Sequence, residues 1–351
     1  MTRALVLSVL ALLTAAPAQA QETPFSRRVY DAIERGLEVL RDHQDDNSGQ
    51  WGVVTGLAVL AFLDKPTSAD VTAPASGFSR LSNEDRRRVM DGIRGCIMLR
   101  PGFFGDQIST YSTGACLMAM GRYLETGGPN EVGARVNVRR ALDSAVLTFA
   151  SVQSGGGWGY GPPGSRPDLS TTQFALPGLS SVRRFSELPR AAIQMAEPWV
   201  GNTQTLAGGH VYRFDEPILD PSARDGTPSM TAAGIWAHAI IGVPVSDRRI
   251  QNALRWLHDY HHAPDNCDNP LSLCAGDMNY YYVWTFAKAM EGTGNDGSGN
   301  FLFADDFGIR NPAREGNPEV GRGWYYDAAI PVLNRQTGAG NCPEDNDHPR
   351  L

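Results

Sequence analysis

Gln153-Ser154-Gly155-Gly156-Gly157-Trp158-Gly159-Tyr160, followed by Asp168-Leu169-Ser170-Thr171-Thr172-Gln173-Phe174-Ala175-Leu176, is the stretch on which the reading of this chain turns. A glycine-rich turn carrying an aromatic residue leads into a segment that is apolar nearly all round. The pattern recurs. SGQWG carries Trp51, PGFFG carries Phe104, and a weaker copy, GGHVY, carries Val211. The steps from Trp51 through Phe104 and Trp158 to Val211 are 53, 54 and 53 residues. A fixed step of that size marks a repeated supersecondary unit.

Each turn is followed by a second similarity. Apolar segments begin at Val53, Tyr111, Leu169 and Met230, with Thr55-Gly56, Thr113-Gly114, Thr172-Gln173 and Ala233-Gly234 at equivalent places. Helices apolar on every side are buried on every side. The segments before the turns differ. Val29, Ile33, Leu37 and Leu40 recur at helical spacing among Arg28, Glu34, Arg35 and Arg41, and Ile250, Ala253, Leu254 and Leu257 do so among Arg248, Arg249 and Arg255. One apolar stripe and one charged face describe an outer helix packed on something inside it. The expected fold is therefore all-α, an α/α toroid of alternating outer and inner helices with five to six repeat units.

The later units are irregular. A fifth outer helix is expected over 248–261 with its inner partner over 278–290, then a long loop at about 295–317, then a sixth outer helix over 324–335. Residues 343–351 are polar and contain two prolines, so they cannot supply a sixth buried helix. The ring is expected to be incomplete there, with a gap between the first and fifth inner helices filled in part by Phe301, Leu302 and Phe303.

Residues 1–20 read as a secretory signal. Arg3 precedes a short apolar run, and Ala18-Gln19-Ala20 forms a small-x-small cleavage site. The run is shorter than the roughly 20 residues a bilayer span needs. The expected product is one toroid domain over 21–351, exported to a periplasm or beyond and not integral to the membrane. A net charge of −7 argues against nucleic-acid binding. In an oxidising compartment the five cysteines invite pairing. Cys267 and Cys274, close together in a polar loop, are the expected disulfide. Cys96 and Cys116 fall on consecutive helices and fit either a bridge or a pair of buried free thiols.

The turn at Gln153–Tyr160, the segment from Asp168, Trp256-Leu257-His258-Asp259-Tyr260, Asn269-Pro270 and the aromatic run from Tyr280 resemble the prenyltransferase and squalene-oxidase repeat in a bacterial exported branch. The resemblance covers about 29–335. It implies the α/α toroid of squalene-type cyclases and protein prenyltransferase β subunits. Those cyclases carry Asp-x-Asp-Asp-Thr on an inner helix. Here Asp168-Leu169-Ser170-Thr171-Thr172 keeps the first Asp and last Thr and replaces both central acids. The prenyltransferases bind zinc through Asp-x-Cys. Here Asp225-Gly226-Thr227 has Thr for the thiolate, while Asp265-Asn266-Cys267 has the spacing in a loop. No metal and no cofactor is therefore expected.

Asp168, Asp225 and Asp277 each precede an inner helix and are the candidate catalytic residues. Two roles fit them, helix capping and acid–base chemistry by paired carboxylates. His258, His261 and His262 share one face of a helix end, a place that suits cations near the C-terminal dipole as well as metal ligation. Trp236, Tyr280, Tyr281, Tyr282, Trp284 and Phe286 are the candidate ligand-cavity residues. The function expected is binding of a hydrophobic or isoprenoid-like small molecule without the usual cyclase acid or zinc site. The alternatives are an active cyclase- or transferase-like enzyme, or a glycan-processing enzyme with carboxylates at the mouth.

Overall fold

The computed structural model describes residues 21–98, 110–161, 164–214, 226–260, 280–294, 302–336 and 338. Among them there are twelve α-helices and no β-strand, only isolated bridges. Five helices form the inner layer: α2 (Thr55–Asp64), α5 (Thr110–Glu125), α7 (Leu169–Ser181), α9 (Pro228–Ile241) and α11 (Tyr280–Glu291). The outer layer is α1 (Pro24–Asp42), α4 (Asn83–Met98), α6 (Val138–Val152), α8 (Pro189–Asn202), α10 (Arg248–Tyr260) and α12 (Trp324–Arg335), with the short α3 (Gly77–Arg80) in the first crossing. The inner helices pack in series, α2 on α5 on α7 on α9 on α11. In α7 every residue from Leu169 to Leu179 is buried, whereas α10 buries one face. This is the α/α toroid.

The repeated turn explains the step length. Gly49, Gly156 and Gly208 each lie two residues before a buried ring, at Trp51, Trp158 and His210, and each has φ in the left-handed region, +68°, +103° and +106°. Each also lies against the next outer helix. A Cβ at Gly156 would sit 2.5 Å from the Met195 carbonyl oxygen, and one at Gly208 2.7 Å from that of Asn252. Only glycine meets both demands. Gln153 Nε2 donates to the Gly156 carbonyl at 2.8 Å and to Ala192 of the next outer helix at 2.9 Å. Gln44 does the same to Gly49 and Arg88, and Gln204 to Gly208 and Arg249. The ring residue then ties the turn to the inner helix: the backbone N–H groups of Trp51, Trp158 and His210 donate to Oγ1 of Thr55, Thr172 and Thr231. The two indoles reach back to the outer helix, Trp51 to Leu40 O and Trp158 to Phe149 O.

These bonds correct the register of the fourth unit. The residue in the ring position is His210 rather than Val211, and the inner-helix equivalents of Thr55-Gly56 are Thr231-Ala232 rather than Ala233-Gly234. Phe104 lies outside the described residues. Gly56 and Gly114 have their own reason. A Cβ on Gly56 would lie 2.4 Å from the backbone of Ala115, and one on Gly114 2.3 Å from Phe174 O. Neighbouring inner helices touch there backbone to backbone.

The first and last outer helices meet. Gln336 Nε2 donates to Ala32 O at 2.8 Å, Arg28 to Asn334 at 2.8 Å, and Phe25 packs with Tyr326 and Ile330. The loop expected at 295–317 contains two 3-10 turns, Ala304–Asp306 and Pro312–Glu315. Leu302 exchanges hydrogen bonds with Gln251 of α10, and Phe307 packs on Phe286. The described part of this loop thus lies against α10 and α11, on the outer side, and Phe301 is outside the described residues. Side chains of α2 and α11 meet the same cluster: Leu57 and Leu60, like Tyr281 and Trp284, pack around Ala115, Met118 and Phe174.

Candidate functional site

The inner helices run in the same direction. Ser180, Ile240 and Glu291, near the ends of α7, α9 and α11, line one groove of about 400 Å³ together with Arg183, Trp236 and Lys288. The starts of α5, α7 and α11 gather at the opposite end, and there the polar groups converge. Tyr111 opens α5, Tyr160 follows the third turn, Tyr212 follows the fourth, and Tyr281 opens α11. Ser170, in the first turn of α7, is the common partner of Tyr111, Tyr160 and Tyr212. Tyr111 Oη donates to Ser170 Oγ at 2.7 Å, with Tyr160 Oη at 3.3 Å and Tyr212 Oη at 3.4 Å. The tyrosines also meet one another, Tyr111 to Tyr160 at 3.0 Å and Tyr212 to Tyr160 at 3.1 Å.

Asp168 stands behind this cluster and is fully buried. It caps α7: Oδ1 accepts from Thr171 N at 2.9 Å and from Ser170 Oγ at 2.6 Å. Arg213 lies 3.7 Å from Oδ2. Every one of these neighbours serves a carboxylate that accepts, which is the capping role. Burial pushes the hydroxyls of Tyr111, Tyr212 and Tyr281 well above the ordinary phenol value, with neighbouring tyrosines adding to it at Tyr111. At neutral pH they are uncharged groups that both donate and accept.

Gln173 occupies the place where the first two units have Gly56 and Gly114. It is fully buried, donates to Tyr281 Oη through Nε2, and leaves Oε1 without a hydrogen-bond partner. Below it the hydroxyl cluster gives way to rings. Tyr111 meets Phe174 edge-on at 4.8 Å, Phe174 stacks on Trp284 at 4.9 Å, and Trp284 meets Trp236 edge-on at 5.1 Å. Tyr111, Tyr281, Trp284, Leu57 and Leu60 are only partly buried.

Of the residues expected to line a cavity, Tyr281 and Trp284 pack on the inner cluster of Ala115, Met118 and Phe174, and Trp236 meets Trp284 edge-on and lines the groove at the other end. Tyr282 and Phe286 instead point outward into the cluster of α10, Phe307 and Trp324, because helical periodicity sends 282 and 286 to the face opposite 281 and 284. Tyr280 is half-buried at the helix start. The cap of α9 is Thr227, which accepts from Met230 N at 3.2 Å. Asp225, Asp277, Cys267, Cys274, His261, His262 and Asp265 lie outside the described residues. His258 is half-exposed and sits 3.6 Å from Asp259. No group of three or more His, Cys, Asp or Glu placed to hold a metal occurs among the described residues.

Tyr111, Tyr160, Tyr212 and Gln173 were not among the sequence candidates. One signal was available: Tyr160 and Tyr212 stand two residues after Trp158 and His210, at the same offset in their units. The capping role of Asp168 carries a measurable expectation. Asp168→Ala should cost about 2–4 kcal/mol in denaturant unfolding, from the lost cap and the lost partner of a largely buried arginine. Asp168→Asn, which still caps, should cost about 1 kcal/mol. Equal losses in the two variants would remove capping as the explanation.

No helix among the described residues is long and apolar enough to cross a membrane. No protein-family model matches this chain, and no curated protein matches it. It is similar to a solved structure of Candida albicans protein geranylgeranyltransferase-I complexed with GGPP, at 10% identity and a TM-score of 0.44, over 90% of this chain and 91% of that one. A likeness at that level carries nothing about chemistry, and the toroid assignment stands on the helix order and packing described above.

Proposed function

We propose that this is an exported toroid that binds an apolar, isoprenoid-like small molecule, its chain against Trp284, Phe174 and Trp236 and its polar end among Tyr111, Tyr160, Ser170 and Tyr212. The observation that carries the reading is the continuity of hydroxyls and rings: the uncharged hydroxyls at the inner-helix starts run into a row of packed rings in which Phe174 and Trp236 are buried and Trp284 is partly exposed. The Arg213–Asp168 ion pair beside the cluster is charge-balanced. A neutral head group, such as an alcohol, therefore suits the site better than a diphosphate. Gln173 Oε1 offers such a head group a further acceptor. The reading is of binding rather than catalysis, because Asp168 is committed as a cap.

Mass spectrometry of lipids extracted from the purified protein tests the reading directly, alongside tryptophan-fluorescence titration with a prenyl alcohol of fifteen to twenty carbons. Trp284→Ala removes a ring in contact with both Phe174 and Trp236. It should weaken that binding about tenfold or more, a loss of about 1.4 kcal/mol or greater. Absence of both an extracted lipid and saturable quenching would overturn the proposal. N-terminal sequencing of the secreted product should begin at Gln21.

A further inference from the structure

A hydroxyl has one proton to give, and the cluster at the inner-helix starts fixes where each proton goes. Ser170 Oγ lies 2.6 Å from Asp168 Oδ1, the length of a hydroxyl donating to a carboxylate, and 3.4 Å from Tyr212 Oη. Its proton therefore goes to Asp168, and Ser170 Oγ accepts from Tyr111 at 2.7 Å. With the Tyr111 proton directed at Ser170, the 3.0 Å bond between Tyr111 and Tyr160 is donated by Tyr160. The longer alternative for Tyr160, Ser170 Oγ at 3.3 Å, also leads inward. Tyr212 donates to Tyr160 at 3.1 Å. The hydroxyls thus form one directed chain, from Tyr212 through Tyr160, Tyr111 and Ser170 to Asp168, in which each bond polarises the next. The outer end of the chain is the Tyr212 oxygen, whose lone pairs receive no proton along it. Tyr212 is partly buried and Tyr160 half-exposed.

We infer that Ser170, anchored by Asp168, is a positioning residue that makes the cluster a hydrogen-bond acceptor toward its ligand, so that the site selects an alcohol over a carbonyl compound of the same shape. The inference rests on the binding reading above and names the group that reading requires. An alcohol gives its proton to Tyr212 Oη and extends the chain by one link. An aldehyde can only accept. Every hydroxyl proton of the chain is already engaged, so an aldehyde gains a hydrogen bond only by breaking one of these. The inner end of the chain cannot turn round, because Asp168 Oδ1 also accepts from Thr171 N at 2.9 Å and has no proton to return. Gln173 adds to the same preference. Its Nε2 is committed to Tyr281 Oη, and its buried Oε1 is a further acceptor without a hydrogen-bond partner. Setting an accepting ligand against these oxygens leaves lone pairs facing lone pairs, which is the costly arrangement.

The test titrates the whole chain, by tryptophan fluorescence, with a fifteen-carbon prenyl alcohol and with the aldehyde of the same carbon chain. The alcohol should bind about tenfold more tightly. Ser170→Ala cuts the tyrosines off from Asp168 but leaves the Thr171 N–H on Oδ1, so α7 keeps its cap. Tyr111, Tyr160 and Tyr212 can then turn their protons toward the ligand. The aldehyde should gain on the alcohol until the two differ by less than about threefold. Ser170→Thr, which returns the hydroxyl, should return the preference. Equal affinities of the unaltered protein for alcohol and aldehyde would overturn the inference and leave the binding reading standing. So would a Ser170→Ala variant that binds both ligands more weakly by the same factor, since that is the mark of a purely structural residue. Binding of neither ligand to the unaltered protein would remove the binding reading and the inference together.

Discussion

Taking the protein from pH 7 to pH 4 should remove about 3 kcal/mol of folding stability through His238 alone. His238 and His210 are fully buried, and their rings meet at 5.8 Å. They stand where the first unit packs Trp51 on Phe62 at 5.9 Å. The substitution leaves buried nitrogens without hydrogen-bond partners, both on His238 and Nε2 on His210. Burial first, then Arg249, holds His238 down to about 4, with Asp247 and Glu197 opposing. Burial, then His238, holds His210 well below its ordinary value. Both shifts lie below the unfolded histidine value of about 6.5. Stability is therefore fully present above that pH and falls as the unfolded state takes up protons the folded state refuses. The loss due to His238 levels off near 4. Denaturant unfolding at several pH values measures it, and His238→Phe, which restores the residue of the first unit, should flatten the slope. An unchanged slope in that variant would place the acid sensitivity elsewhere.

Gly156→Ala should cost about 3–5 kcal/mol, while Gly155→Ala, one residue away, should cost about 1–2 kcal/mol. Both glycines have positive φ, +103° and +57°, so an L side chain strains the backbone at each. They differ in surroundings. A Cβ at Gly155 meets nothing within 4 Å, but one at Gly156 lies 2.5 Å from Met195 O and 3.0 Å from Trp199 Cβ. Neither neighbour is the end of a flexible chain, so α8 must move away. That movement also breaks the Gln153 bond to Ala192 O. Guanidinium unfolding of the two variants reads the difference. Equal midpoints would show that backbone strain, and not the approach of the next helix, makes glycine obligatory.

The layered helices were legible because two patterns agree. The all-apolar segments became the five inner helices, and the striped segments became the outer ones. The fourth turn was harder. With Trp51 and Trp158 as guides, a bulky residue was the natural match, and Val211 was the nearest. The structure chooses His210, since Gly208, Gln204 and Thr231 set the register and their spacing carries no bulk. The site was legible only where it coincided with a helix start. Asp168 announces itself as a cap, but the hydroxyl cluster draws tyrosines from four separate elements, and their convergence depends on how the ring curves. The run from Tyr280 to Phe286 is aromatic on all sides, so composition could not divide Tyr281 and Trp284, which pack toward α5 and α7, from the outward face of Tyr282 and Phe286.

The seam between α1 and α12 has a consequence for biogenesis. The helices that meet there are the first and last of the described elements, about three hundred residues apart by the Gln336–Ala32 hydrogen bond. The joints between successive units form as the chain emerges, whereas the contacts of α11 with Gln173 and Phe174 of α7 wait until α11 is made. Until α12 is synthesised, the surface of Phe25 and its neighbours on α1 has no cover, and the growing arc is open to strangers at both ends. A ribosome thus produces a crescent, whose outer layer closes when α12 meets α1. Shortening the chain before Trp324 would leave the inner helices their contacts and uncover the apolar surface around Phe25 on α1.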